Sequence, residues 1–418
     1  MGPGLVTGAS DDDPSGIATY AQTGAQFRFG MLWAALITLP LMAAVQEICD
    51  RTALATGKDM GTLVAKRFHS WARVLIGILL GALIAANALN IAADLAAIGS
   101  GMQLLHAGSP AWWALGAGVL ITGLVMVGSF HLIARVFKIL GAALLAYIGV
   151  LFALKINWPS VAVHTLVPHV VLSKDYLEVL VAVLGTTISP YLFFWQSAHR
   201  VEELRAEPEG GRRPVSLKNR PRGEQATKER TSRADVFTGM AFSNIVMFAI
   251  IVATAATLGA HGKTHVTSAA SAAEALRPVA GKLSSVLFAL GFIASGFLAV
   301  PVLAGSGSAG MAGLLHKSWG FSRSPREAPV FYALVAAGTI GGTVLTLLHI
   351  DTIHLLVIVA MVNGLAAAPF LVVIMLISGD ARLMGSHRNH RTATILGWTA
   401  TGLMAAAAVA LIATGGGL

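Results

Sequence analysis

Three consecutive carboxylates, Asp11, Asp12 and Asp13, stand directly before Pro14 inside an otherwise apolar stretch, GPGLVTGASDDDPSGIATYAQ. Fully ionised, they would repel one another strongly. Either a cation neutralises them or burial keeps some of them protonated. In both cases the locus attracts cations. Two further acids fall within long apolar runs: Asp94, in NIAADLAAIGSG, and Glu47, which precedes Asp50 and Arg51. Charges at membrane depth are costly and usually functional. Asp94 is equally consistent with a proton or cation relay and with a hydrogen-bond partner for a neighbouring helix. Glu47 is best explained by local salt bridging and gate structure.

The elements that carry these acids are membrane spans. The chain has 418 residues, is 55% hydrophobic and only 12% charged, with a mean hydropathy of +0.72. A soluble domain would hold roughly twice that charged fraction. Eleven apolar runs of about 20 residues are centred near residues 12, 40, 90, 120, 145, 188, 248, 295, 338, 365 and 404. They leave mostly short connections, so residues 1–418 form one all-α integral membrane domain. The net charge of +9 is a topology signal. With the N-terminus inside, 23 of the 29 Lys and Arg residues fall on cytoplasmic segments, the asymmetry of the positive-inside rule. Nucleic acid is therefore not an expected partner.

Cys49 is the only cysteine, so no disulfide framework is expected, and the acids in the first apolar run argue against a cleavable signal peptide. No HExxH, nucleophile elbow or cofactor motif is present, so neither an enzyme nor a resident cofactor is expected. The glycine-rich GSGSAGMAG, Gly305–Gly313, lacks a P-loop lysine and reads as close helix packing. The histidines of SHRNH, His387 and His390, read as a solvated turn. Residues 200–235, rich in Arg, Glu, Gly and Pro, show no apolar periodicity and read as a partly disordered cytoplasmic loop.

Two spans are unusual. The first contains Pro14 and the sixth, VLVAVLGTTISPYLFFWQSA, contains Pro190, each near its midpoint after a run of small residues. Proline removes a backbone donor and disfavours helix in the preceding residue. In lipid such a break is tolerated only where it lines a protein cavity. Paired breaks in two halves point to a transporter site between inverted repeats. The offset of five spans divides the chain into repeat one (about 1–155), repeat two (about 176–378) and an extra helix (about 392–415).

These segments resemble the Nramp divalent-metal transporters. Gly2-Pro3-Gly4, eight residues, then Asp13-Pro14-Ser15-Gly16 keep the spacing of that family's first span. QEICDRTALATGKDMG (46–61), AADLAAIGSG (92–101) and GTTISPYLFFWQS (185–197) are similar to its second, third and sixth spans. The resemblance implies eleven transmembrane helices in the LeuT-like arrangement of inverted five-helix repeats, with discontinuous helices 1 and 6. It implies a metal carried between Asp13, the carbonyl of Thr186, and the positions occupied here by Gly16 and Ser189, with Tyr191 at the family's histidine. In the family the Gly16 position is Asn and the Ser189 position is Met. Losing a soft thioether removes the preference for transition metals, and losing the Asn opens space. Oxygen ligands with room for waters suit Mg²⁺, as in the Nramp-related magnesium transporters, which this pattern resembles. Asp12 and Asp11 enrich cations or bind through water. Gln196 and Asn363 either face the pathway or make interhelical hydrogen bonds.

Asp94 persists, but the adjacent acidic position of the family is Ala97. A tyrosine with an ordinary pKa near 10 is a poor proton shuttle near neutral pH, so weak or absent proton coupling is expected. The implied partners are a divalent ion as substrate and the lipid bilayer of a plasma membrane, with a single chain sufficing. Rival readings are a carrier of a small organic cation or amine, and a metal-gated channel or sensor.

Overall fold

The computed structural model describes residues 2–127, 141, 144–152, 154–171, 173–209, 213–262, 265–266, 273, 284–348 and 351–413. Regular structure among them is entirely helical. Ten of the eleven expected spans are present. The first is split into α1 (Pro3–Asp11) and α2 (Pro14–Phe27), followed by α3 (Trp33–Thr56) and a short α4 (Met60–Arg67). The third and fourth spans are α5 (Ser70–Leu104) and α6 (Pro110–Val127). The fifth is described only over α7 (Leu145–Leu151), the rest of that region lying outside the described residues. After α8 (Trp158–Leu166) comes the split sixth span, α9 (Lys174–Thr187) and α10 (Pro190–Ala206). Then follow α11 (Arg222–Thr257), α12 (Ser284–Leu314), α13 (Pro329–Leu345), α14 (Thr352–Ser378), a single turn α15 (Ala381–Met384) and α16 (Arg391–Ala413). Eight of these helical stretches are long and apolar enough to cross a membrane by themselves.

Large apolar side chains such as Val74, Ile78, Val119, Ile340 and Val409 face outward. Lipid tails solvate such a surface, whereas water would penalise it. Polar groups are gathered inside instead. The two broken spans lie at the centre, with α10 buried along nearly its whole length. Around them, α5 packs most extensively against α12, α1 against α11, and α9 against α14.

Glycines set the closest approaches. A Cβ on Gly8 of α1 would collide with the Gly239 carbonyl of α11, and one on Gly239 would collide with the Gly4 carbonyl. The glycine-rich segment of α12 behaves as expected. A Cβ on Gly310 would come within 2.8 Å of the Phe194 ring, and one on Gly305 within 2.8 Å of Phe321.

The expectation for residues 200–235 is corrected. α10 continues to Ala206 and α11 already begins at Arg222, so most of the expected loop is helix. The ordering force is ionic, which is why an apolar pattern is absent. Glu207 accepts from Lys228 Nζ at 2.6 Å and from Arg220, which also reaches Glu224. Burial pushes the Glu207 carboxyl up, but these hydrogen bonds outweigh it and hold it below the usual range.

Deeper in this end of the bundle, Asp50 of α3 is fully buried and accepts from Gln196 Nε2 at 2.6 Å, Arg200 Nε at 2.8 Å and the Ser232 hydroxyl. Glu47 pairs with Arg51 at 2.9 Å and with Arg233 at 3.8 Å, the local bridging expected of it. The SHRNH turn is less solvated than its composition suggests. His387 meets Glu229 at 2.6 Å, and its carbonyl accepts from Arg51 Nη1 at 2.5 Å.

Candidate cation site at the paired helix breaks

Each break is made by local chemistry. α1 stops at Asp11. Asp12 leaves helical geometry (φ −84°, ψ 55°) and Asp13 is extended (φ −69°, ψ 170°). Pro14 then opens α2, where a missing N–H costs nothing. The Asp13 carboxylate caps the new helix: Oδ1 accepts from Gly16 N at 2.8 Å and from Ser15 Oγ at 2.5 Å. In the sixth span, Ile188 (φ −120°, ψ 57°) and Ser189 (φ −78°, ψ 131°) interrupt the helix before Pro190. Both upstream halves thus present carbonyl ends to the gap, which favour positive charge.

The two breaks meet. The Tyr191 hydroxyl, on the first turn of α10, donates to Asp13 Oδ2 at 3.1 Å. The Tyr20 ring and the Thr186 hydroxyl both stand against Gly16. On the other side, Ser243 Oγ of α11 lies 2.6 Å from Asp11 Oδ2 and 3.2 Å from Asp12 Oδ1. Among the described residues, Asp11 Oδ1, Asp12 Oδ2 and both oxygens of Asp94 have no hydrogen-bond partner. Asp11, Asp12, Asp13 and Asp94 are at most 1% exposed. Among the described residues no lysine, arginine or histidine forms an ion pair with any of them. Four buried carboxylates without a basic partner must be neutralised by a cation or by protons, although among the described residues no three acids, histidines or cysteines already stand in metal-binding array.

Asp13, Thr186, Gly16 and Tyr191 therefore lie together, with Asp12 and Asp11 beside them. Three expectations change. Gly16 does not leave open space: a Cβ there would already be 3.0 Å from Thr186 Oγ1 and 3.4 Å from the Tyr20 ring. α2 has closed on α9 where a side chain would stand. Ser189 is turned away from Asp13. Its hydroxyl lies 2.7 Å from the Gly185 carbonyl and 3.0 Å from that of Thr186, sealing the end of α9. The Thr186 carbonyl is therefore partly engaged already.

Gln196 resolves as an interhelical link, accepting from the Thr7 hydroxyl and donating to Asp50. Asn363 accepts from Asn90 at 3.4 Å across α5 and α14, but its own amide N has no partner among the described residues. Ser243 and Tyr20 escaped the sequence reading. Ser243 sits in an apolar run beside Asn244, and that polar pair in mid-span was the available signal.

At the end of the bundle opposite Asp50, a cavity of about 600 Å³ opens between α2, α9 and α14. Its lining includes Gln22, Asp175, Glu178, Asp351, His354 and Met361. An acidic mouth on one side and an ion-paired closure on the other bracket the buried carboxylates.

Comparison with known proteins agrees with this geometry. The family model described as natural resistance-associated macrophage protein-like (Nramp) matches residues 4–414. A divalent metal cation transporter, MntH, of Aeromonas hydrophila is 26% identical over 420 residues, covering 95% of this chain and 91% of that protein. MntH 1 of Pseudomonas aeruginosa is 25% identical over 434 residues, covering 99% and 90%. Among solved structures, the manganese transporter of Eremococcus coleocola superposes with a TM-score of 0.75 at 17% identity, over 99% of this chain and 86% of that one. Mhp1, a nucleobase-cation-symport-1 family transporter, superposes with a TM-score of 0.56 at 15% identity, over 99% and 93%. The fold is thus the LeuT-like one expected, and the chain belongs to the Nramp family of membrane transporters.

Proposed function

We propose that this chain is a secondary carrier that takes up divalent cations, Mg²⁺ first and Mn²⁺ as well, by alternating access and without proton coupling. The observation that carries the reading is the meeting of the two breaks, where Asp13 contacts Tyr191 beside buried carboxylate oxygens that have no partner among the described residues. The names of the relatives, divalent metal cation transporter and manganese transporter, support the substrate class.

Asp13 is the principal ligand, because only a carboxylate offsets the cost of stripping water from a divalent ion. Tyr191 surrenders its hydrogen bond as the ion takes Oδ2, and its oxygen then turns to the ion or to a retained water. Thr186 adds further oxygen, with Asp12 and Asp11 acting through water, while Ser189 stays on the end of α9 and Gly16 N holds Asp13 Oδ1 in place. Such a hard donor set suits Mg²⁺. The present closeness of Gly16 to Thr186 means that α2 and α9 separate when a hydrated ion enters. Asp94 and Asn363 lie along the path. With tyrosine in place of the family's histidine, the break lacks that proton shuttle, since a tyrosine of ordinary pKa is a poor one near neutral pH.

The basic end is cytoplasmic, with the N-terminus inside a plasma membrane, and the acidic mouth faces outward. A negative-inside potential contributes about 2.3 kcal/mol per charge per 100 mV, which drives a divalent ion inward. The test is Mg²⁺ and Mn²⁺ uptake into proteoliposomes, wild type against Asp13→Ala, with internal pH followed in parallel. Saturable uptake lost in the variant, without acidification, is expected. Acidification that tracks uptake overturns the uncoupled reading, and unitary currents overturn the carrier.

A further inference from the structure

Away from the breaks, a buried set of polar contacts is centred on Asp50. It joins four elements. Asp50 of α3 accepts from Gln196 and Arg200 of α10 and from Ser232 of α11. Gln196 in turn accepts from Thr7 of α1. Asp235 of α11 closes the ring: its Oδ1 accepts from Gly2 N at 3.0 Å and its Oδ2 from Gly4 N at 2.7 Å, while Arg200 Nη2 stands 3.9 Å away. The first turn of α1, whose N–H groups have no partner within the helix, is thus held by a carboxylate on another span.

We propose that Asp50, Arg200 and Asp235 are the latch of the cytoplasmic gate, and that its release is what lets α1 leave α11 and expose Asp13 to the cytoplasm. The assignment of this end to the cytoplasm rests on the function proposed above. The latch has only two comfortable states. Closed, Asp50 is fully buried against Gln196, Arg200 and Ser232, and the Arg200 guanidinium pairs with Asp50 and Glu203, its Nη2 standing 3.9 Å from Asp235 without a hydrogen bond among the described residues. Open, both carboxylates and the guanidinium are wetted and need no partner. A half-open state strands Asp50 without Arg200 before water arrives, and an unpaired buried charge is the costly case. That penalty makes the element bistable, as a gate requires.

Water is close at hand. A cavity of about 690 Å³ on this side is lined by Gly2, Leu5, Arg200, Glu203, Ser232 and Asp235. It touches the latch at the first turn of α1 and stops short of Asp50, which remains unexposed.

The test uses thiol labelling of the full-length chain in lipid nanodiscs without any metal. In a Cys49→Ala background, one reporter is Ser10→Cys, at a buried position on α1 beside the carboxylates. The other is Met361→Cys, in the wall of the outer cavity. Asp50→Asn and Asp235→Ala are introduced separately. Each is expected to raise the labelling rate at position 10 by about tenfold or more, the scale of a conformational shift worth about 1.4 kcal/mol. The rate at position 361 should fall at the same time. Rates that rise together at both positions, as general loosening would produce, overturn the latch, and so do rates that change at neither. Because no ion is present, failure here leaves the cation site standing. Absence of uptake by the wild type would sink the transport reading without moving these rates.

Discussion

Asp13 has two jobs that can be separated. Its Oδ1 caps α2 through Gly16 N and Ser15 Oγ, while Oδ2 faces Tyr191 and the gap. Asp13→Asn keeps an amide oxygen able to cap, and Asn and Asp are equivalent caps to within a few tenths of a kcal/mol. It also removes a like charge from beside Asp11 and Asp12. Without metal, Asp13→Asn should therefore melt no lower than wild type. Asp13→Ala loses the cap, about 1 kcal/mol, and should melt lower by on the order of 2 °C.

Ion binding separates the other way. A unit charge ~3 Å from a divalent ion is worth about 10 kcal/mol at an effective dielectric of ~20, before dehydration of the ion is set against it. If only ~3 kcal/mol survives as net affinity, either substitution weakens binding by more than ~100-fold. Titration calorimetry with Mn²⁺ on the purified chain, paired with thermal melts, reads both quantities. Asp13→Asn that still binds Mn²⁺ within about threefold of wild type removes Asp13 as a ligand. Equal melting losses in the two variants refute the capping role.

Two other outcomes follow from the packing and the charges. Gly8→Ala places a methyl into the Gly239 carbonyl, a backbone atom that cannot rotate aside. It should cost about 2 kcal/mol or more in a thermal melt, whereas Gly81→Ala, with open space around it, should cost nothing measurable. At the basic end, a hydrogen bond from the neighbouring Lys66 together with partial burial pulls the Lys58 amine down to about 8 from an ordinary 10.5. Between those values the unfolded chain holds a proton that the folded chain does not, so the Lys58 contribution makes stability rise with pH across that window. Melts from about pH 7.5 to 10 should show that rise in the wild type and a flatter line in Lys66→Gln; parallel curves would exclude the pairing.

The span pattern and both breaks were legible because each has a local cause. Twenty apolar residues mark a crossing wherever they pack, and Pro14 and Pro190 end helices by their own covalent structure. The meeting of Asp13 with Tyr191 followed only from the family resemblance, since 178 residues separate them. What stayed hidden depended on distant partners. Residues 200–235 looked disordered because ion pairs, not apolar contacts, order them. Arg200 finds Asp50 on another span, and Arg220 finds Glu207 across a turn. Ser189 carried a hydroxyl suited to a cation, but the end of α9 claimed it first. Gly16 suggested room, and the approach of Thr186 filled it. A glycine marks where a side chain is missing; only the neighbours decide whether the vacancy persists.

The seam between α1 and α11 has a mechanical consequence. Gly4, Gly8 and Gly239 bring backbone against backbone at these points. Where knobs fill holes, one helix passes another only by turning rotamers over, and each step is a separate barrier. At the glycine contacts there are no such teeth. The seam behaves as a plain bearing, smooth there and fastened at its ends by Asp235 on one side and Ser243 on the other. Friction is then set by the fasteners and not by the track, so a methyl on the track acts as grit even where it adds apolar surface.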